Sequence, residues 1–145
     1  MTDFAPALSD YPYQVKLTSR QEDNDENGFI NNVAFYSFFN TGVNMFLQNH
    51  CPQAFEHEGI TAYVVSSQCQ YMSPASFPDD IFVGLRVAKV GRSSVTYGLS
   101  VYAGETKRRV AHGLFVHVYV ERHTDNAVPI PADVKDALLT FSEEF

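Results

Sequence analysis

The sequence holds no tryptophan and only two cysteines in 145 residues. Cys51 and Cys69 are too few for a disulfide framework and show no C-x-x-C spacing, so a reducing cytoplasm is the expected location, a single bridge being the alternative. No run of about 18 apolar residues occurs, so no membrane-spanning helix is expected. The opening MTDFAPALSDYP has neither a basic n-region nor an apolar h-region, and export through a signal peptide is not expected either. Basic residues are also scarce. Ten Lys and Arg stand against seventeen Asp and Glu, a formal charge of −7 that argues against nucleic acid as a partner. Six of the ten nevertheless fall between residues 86 and 109 (Arg86, Lys89, Arg92, Lys107, Arg108, Arg109), with Glu105 the only acid among them. That cluster leaves room for a local site holding a few phosphates.

What is abundant is apolar and aromatic: 45% hydrophobic residues, with twelve Phe and eight Tyr. A chain of this length buries roughly 70% of its unfolded surface and needs no metal or disulfide staple. Tyr13, Val15 and Leu17 alternate with polar residues, the period of a half-buried strand. An acidic, Asn-rich run follows, and then an aromatic segment, Val33 to Leu47. There Tyr36, Phe39, Val43 and Leu47 keep helical spacing while Phe35, Phe38 and Phe46 widen the stripe, so a helix nearly surrounded by protein is predicted. Strands are predicted over Thr61 to Met72, Asp80 to Val90, Ser94 to Ala103 and Lys107 to Glu121. Turns at Gly91-Arg92 and Gly104 link them as an antiparallel meander. Pro131 to Phe141 reads as a short closing helix. With no repeat, linker or low-complexity segment, residues 1–145 are expected to form one α+β domain whose sheet curls around the long helix.

The chemistry concentrates in the loop Arg20-Gln-Glu-Asp23-Asn-Asp25-Glu-Asn27-Gly28-Phe29-Ile30-Asn31-Asn32, which enters that helix. One reading is a solvated acidic turn, with Gly28 at positive φ and Asn31 or Asn32 as helix cap. A second is a calcium loop, since Asp23, Asp25, Asn27, Gly28 and Ile30 fit EF-hand positions. However, Ala34 stands where the bidentate Glu is required, and a strand pattern precedes the loop. The third is a catalytic carboxylate, Asp25, beside helix N-terminal amides able to hold a developing oxyanion.

Asp23-x-Asp25-x-x-Gly28-x-Ile30-Asn31-Asn32-x-x-x-Tyr36 resembles the D-x-D-x-x-G-H-V-N-N-x-x-x-Y signature of hotdog-fold acyl-CoA thioesterases of the 4-hydroxybenzoyl-CoA thioesterase type. Tyr71-Met-Ser-Pro74-Ala75, Phe77-Pro-Asp79-Asp80, Val90-Gly91-Arg92-Ser93-Ser94 and Val128-Pro129-Ile-Pro131 are similar to further motifs of that family, in the same order. The resemblance implies a hotdog fold, a helix wrapped by a five-stranded antiparallel sheet, assembled as a homodimer or homotetramer with sites at the interface. It implies an acyl-CoA substrate, with coenzyme A as part of the substrate and no separate cofactor. Asp25 falls on the catalytic carboxylate, as nucleophile or general base. Asn32 falls where a backbone N–H bonds the thioester carbonyl, Gly28 supplies the turn between them, and Asp23 is read as structural.

Asn31 and Tyr36 fall within the same motif as substrate-binding candidates. Lys89, Arg92, Ser93 and Ser94 are the candidates for pantetheine and phosphate contacts, an Arg fork suiting phosphate. The sequence departs from the family at Phe29, which replaces its His and removes any imidazole from the loop. That departure is the one support for a rival, a non-catalytic acyl-CoA binding module. A thioesterase acting on acyl carrier protein is a second rival, disfavoured by the acidic charge. The His that opens the hotdog dehydratase motif has no counterpart.

Elsewhere the signals are weak. His112 and His117 lie five apart on one strand, hence on opposite faces, and His50 and His57 form no H-x-x-x-H, so no metal is expected. Ser66, Ser67, Ser73 and Ser76 form no G-x-S-x-G elbow. Cys69 reads as a core residue. Lys107, Arg108 and Arg109 read as exposed strand-end charge, at the opposite end of the meander from Arg92.

Overall fold

The alternating segments become five strands: β1 (Tyr13–Thr18), β2 (Ile60–Tyr71), β3 (Asp80–Val90), β4 (Ser94–Ala103) and β5 (Arg108–Glu121). The aromatic segment becomes α1 (Asn32–His50), and α2 (Ala132–Thr140) closes the chain. This computed structural model describes residues 6–142. All pairings are antiparallel, in the order β1-β3-β4-β5-β2. The predicted meander therefore holds for β3, β4 and β5 only. β2 crosses to the far edge and pairs with β5, Tyr71 opposite Ala111 and Ile60 opposite Glu121. A period-two pattern reports which face a residue occupies and not which strand lies beside it.

The sheet wraps α1. Phe39, Val43 and Phe46 are fully buried against Val83, Leu85, Tyr97 and Leu99 of β3 and β4, and each such side chain contributes roughly 1.5–3 kcal/mol of apolar burial. Gly42 permits the close approach: a Cβ there would lie 2.9 Å from Val83 Cγ1. The helix is less enclosed than its aromatic content predicts. Val33, Ser37, Asn40, Asn44 and Gln48 form an exposed stripe along it, and β2, whose residues are mostly exposed, does not close over that side.

The outer face of the sheet carries a small second cluster of Leu8, Tyr11 and Tyr102, with Phe82 packed on it. His112 and His117 sit on opposite faces as their spacing requires, His112 half-buried outside and His117 buried inside. Among the described residues no helix is long and apolar enough to cross a membrane.

Candidate active site

The loop before α1 is fixed by its own side chains. Asp23, buried beneath it, accepts hydrogen bonds from the Arg20 backbone N–H (2.8 Å) and guanidinium (2.9 Å). Its carbonyl accepts from the Asn31 N–H at 2.8 Å. Asp25 forms the next turn. Its Oδ1 accepts from the N–H of Asn27 (2.8 Å) and of Phe29 (3.2 Å), while its N–H donates to the Phe29 carbonyl at 2.7 Å. Gly28 closes the turn at φ +83°, a backbone conformation that favours glycine. Oδ2 of Asp25 has no protein partner among the described residues. One carboxylate oxygen thus holds the loop and the other is available to a substrate or water.

A second loop braces the first. The Ile30 N–H donates to the Ala75 carbonyl (2.8 Å), Ser76 Oγ to the Gly28 carbonyl (2.7 Å), and the Phe77 N–H to Asn24 Oδ1 (3.0 Å). Asn31 then caps α1, its Oδ1 accepting from the Ala34 N–H at 2.9 Å. The amides of the first helical turn have no acceptor within the helix, and with the helix dipole they make its start an anion-stabilising point.

Asp25, Phe29, Asn31 and Asn32 line one side of an open cleft of about 580 Å³; Phe35, Tyr71, Met72, Ser73 and Pro74 line the other. Its walls are mainly apolar. The Phe35 and Tyr71 rings meet edge to face, 5.3 Å between centroids. Burial, with the neighbouring Cys69 thiol, pushes the Tyr71 phenol up to about 12, so it stays protonated at neutral pH. Where the resembled family has His, the half-exposed ring of Phe29 borders the cleft.

Asp25, Asn31 and Asn32 thus come together, and Gly28 shapes the turn beside them. Tyr36 does not line the cleft; it packs on Phe115, ring centroids 6.1 Å apart. Lys89, Arg92, Ser93 and Ser94 lie at the other end of β3. β3 starts at Asp80, directly after the loop that braces the site, and nine residues of extended strand carry Lys89 about 30 Å further on. There the Arg92 carbonyl accepts from the Ile130 N–H and the Ser93 carbonyl from the Tyr119 N–H, both at 2.8 Å. Arg108 stands at the near end instead. It donates to the Pro74 carbonyl at 2.9 Å and pairs with Asp79 at 3.6 Å, so it is more than a free strand-end charge.

Tyr71, Met72, Ser73 and Pro74 were not among the sequence-derived site residues. Their signal was the Tyr71-x-x-Pro74-Ala75 motif, whose position against the loop depends on the β2–β5 pairing. Cys69 is half-buried on the inner face of β2 rather than deep in the core. No group of three or more His, Cys, Asp or Glu among the described residues is placed to hold a metal.

Residues 19–138 match the family model of the thioesterase-like superfamily. A crystal structure of the PA5185 protein from Pseudomonas aeruginosa is 38% identical, with a TM-score of 0.86, covering 96% of this chain and 97% of that one. A Thermus thermophilus thioesterase solved with coenzyme A and zinc is 26% identical, with a TM-score of 0.78 over 93% of this chain and 97% of that one. A 1,4-dihydroxy-2-naphthoyl-CoA thioesterase from Synechocystis shares the fold at 13% identity, with a TM-score of 0.80 over 91% of this chain and 98% of that one. No curated protein matches the chain. By its fold, by its carboxylate set against a helix N-terminus and by these matches, the chain belongs to the thioesterase-like superfamily and is a thioester hydrolase with the hotdog architecture.

Proposed function

We propose that this protein hydrolyses an acyl-CoA to the free acid and coenzyme A. The observation that carries this reading is the shared cleft, in which the free oxygen of Asp25 and the start of α1 meet walls apolar enough for an acyl group. A thioester carbonyl oxygen placed at the first-turn amides, beginning with Asn32, gains stabilisation as it becomes an oxyanion. Asp25 then acts in one of two ways. As nucleophile it forms a C–O bond while the C–S bond breaks, and water later cleaves the mixed anhydride. As general base it takes a proton from the attacking water. Either route releases the thiolate of coenzyme A, which takes a proton from solvent. Phe29 supplies no proton relay and contributes apolar wall.

The phosphates of coenzyme A are strongly anionic, and Lys89, Arg92, Ser93 and Ser94 suit them chemically. Reaching the cleft from their end of the sheet requires a second subunit. β2 offers the means: twelve residues long, it forms a sheet edge with Tyr63, Val64, Val65, Tyr71 and Met72 exposed. An unpaired edge of that length is prone to pairing with another strand. A homodimer joined there, able to stack further into a tetramer, belongs to this reading, as does a reducing cytoplasm for its two free thiols.

Free-thiol release from short, medium and long fatty and aryl acyl-CoAs, measured for the wild type and Asp25→Asn, tests the proposal. Turnover that collapses in the variant supports it. Binding of acyl-CoA by both proteins with no thiol release would instead make this a binding module. Elution as a monomer would remove the route by which Arg92 reaches the substrate.

A further inference from the structure

The six basic residues between 86 and 109 do not stay one cluster in the fold. Lys89 and Arg92 lie at the far end of β3. Lys107 Nζ lies over the Phe82 ring, 5.1 Å from its centroid, and Arg108 is held by Pro74 and Asp79. Arg86 and Arg109 instead converge on the outer face of the sheet, where with His112 they line a pocket of about 320 Å³. All three side chains are half-buried there.

Two local features bring them together. Arg86 stands opposite Gly98 in the β3–β4 register. A Cβ at Gly98 would lie 2.8 Å from Arg86 Nε and 2.9 Å from its Cζ, so the guanidinium lies across β4 in the space that a side chain would fill. On β5 a bulge has the same effect. Val101 pairs with Ala111 but Tyr102 with Arg109, which leaves Val110 as the extra residue and turns Arg109 to the outer face, beside His112. Strict alternation would set Arg109 and His112, three residues apart, on opposite faces. Arg109 Nε and Nη2 both donate to Ser100 Oγ at 3.3 Å. Ser100 is fully buried, is hydrogen-bonded to the Tyr11 hydroxyl as well, and lies directly opposite His112.

Two like charges therefore stand over one small floor. Gly98 and Ser100 are neighbours on one face of β4, about 7 Å apart, and the guanidinium groups above them face the same space. No Asp or Glu lines the pocket, and Arg109 forms no ion pair with a described carboxylate. Ser100 engages only part of its five-donor fork. Burial, and after it the Arg109 charge, holds His112 below its ordinary value, so at neutral pH its uncharged ring keeps one N–H to donate. Donors on several sides suit a tetrahedral oxyanion better than a planar carboxylate, which a single fork satisfies. We infer that this outer-face pocket is a phosphate-binding site, taking free phosphate or the phosphate of a small phosphorylated molecule between Arg86 and Arg109 and beside His112. It shares no lining residue with the Asp25 cleft and stands independently of the acyl-CoA reading.

The test is a titration of 15N-histidine-labelled protein at pH 7, read from the His112 ring resonances, which are identified by their loss in His112→Gln. Potassium phosphate and adenosine 5′-monophosphate are compared with sodium acetate and sodium chloride at matched ionic strength. The expected result is a saturable His112 shift with phosphate or the nucleotide and none with acetate or chloride; the tighter of the two phosphates identifies the source. Arg109→Gln and Arg86→Gln should each weaken that binding about tenfold, with the buried His117 resonances unchanged as the sign of an intact fold. Equal shifts with acetate or chloride reduce the effect to charge screening and overturn the inference. So does the absence of a shift with both phosphates, or undiminished binding in both variants. Loss of thioesterase turnover in the two arginine variants would tie the pocket to the cleft and overturn its independence.

Discussion

The two ends of α1 handle polar groups in opposite ways. At the first, every polar group of the Asp23–Asn32 loop that fixes the backbone has a partner: Asp23 holds Arg20, Asp25 Oδ1 holds two amides, and Asn31 caps the helix. One carboxylate oxygen and the start of α1 at Asn32 are left facing an open cleft. At the second end, His117 and Tyr97 are buried with polar atoms that have no partner among the described residues, and His117 lies beside a small pocket. Satisfied hydrogen bonds make the first end rigid enough to aim a carboxylate. Unsatisfied ones at the second cost the fold about 1–3 kcal/mol each.

The largest expected contrast comes from Asp25→Asn. The amide oxygen still accepts from Asn27 and Phe29, so the turn survives, while both nucleophile and base are lost. Thioesterase kcat should fall by roughly 10²–10⁴, with the urea midpoint unchanged. A parallel loss of stability would show instead that Asp25 is a structural residue.

The second contrast is in pH. His117 faces Tyr97 and Tyr119 on the sheet and Arg122 at the pocket rim, with no carboxylate among the residues lining the pocket. With its folded value near 4 against an ordinary 6.5, the unfolded chain binds a proton between those values that the folded protein refuses. Stability therefore falls as pH drops from about 6.5 to 4, by roughly 3 kcal/mol from this residue. Urea unfolding at pH 7, 5.5 and 4.5 should show this slope, and His117→Leu should flatten it.

A smaller effect is expected at the helix cap. Asn31→Ala removes the bond to the Ala34 amide and should cost about 1 kcal/mol. It should also lower kcat, since the first-turn amides lose their fixed direction. The smallest change in stability belongs to Asn44→Ala. Asn44 is exposed on the open stripe, so stability should stay within about 0.5 kcal/mol in urea unfolding.

Local chemistry made much of this legible beforehand. β3 and β4 have the predicted limits, Asp80–Val90 and Ser94–Ala103, because strict alternation stops at the Gly91 turn. The Asp25 turn was equally visible, since Gly28 and the asparagines act over a few residues. The placement of β2 was not, because pairing between residues fifty apart leaves no trace in periodicity. Tyr71, Met72 and Ser73 were missed as cleft residues for that reason. The open side of α1 was hidden by its phenylalanines, although Ser37, Asn40, Asn44 and Gln48 already marked a polar stripe. The spacing set His112 and His117 on opposite faces, but which of them turns inward, and that the His117 Nε2 lacks a partner, follow only from the packing around them.

The most direct test of the account is a crystal structure with an acyl-CoA analogue in which a methylene replaces the thioester sulfur. The account predicts the ketone oxygen about 2.7–3.1 Å from an amide nitrogen in the first turn of α1, with Asp25 Oδ2 facing the carbonyl carbon directly or through one water. A carbonyl bound away from that helix terminus, or an Asp25 turned from it with no intervening water, would contradict the assignment of this cleft as the place where the thioester is cut.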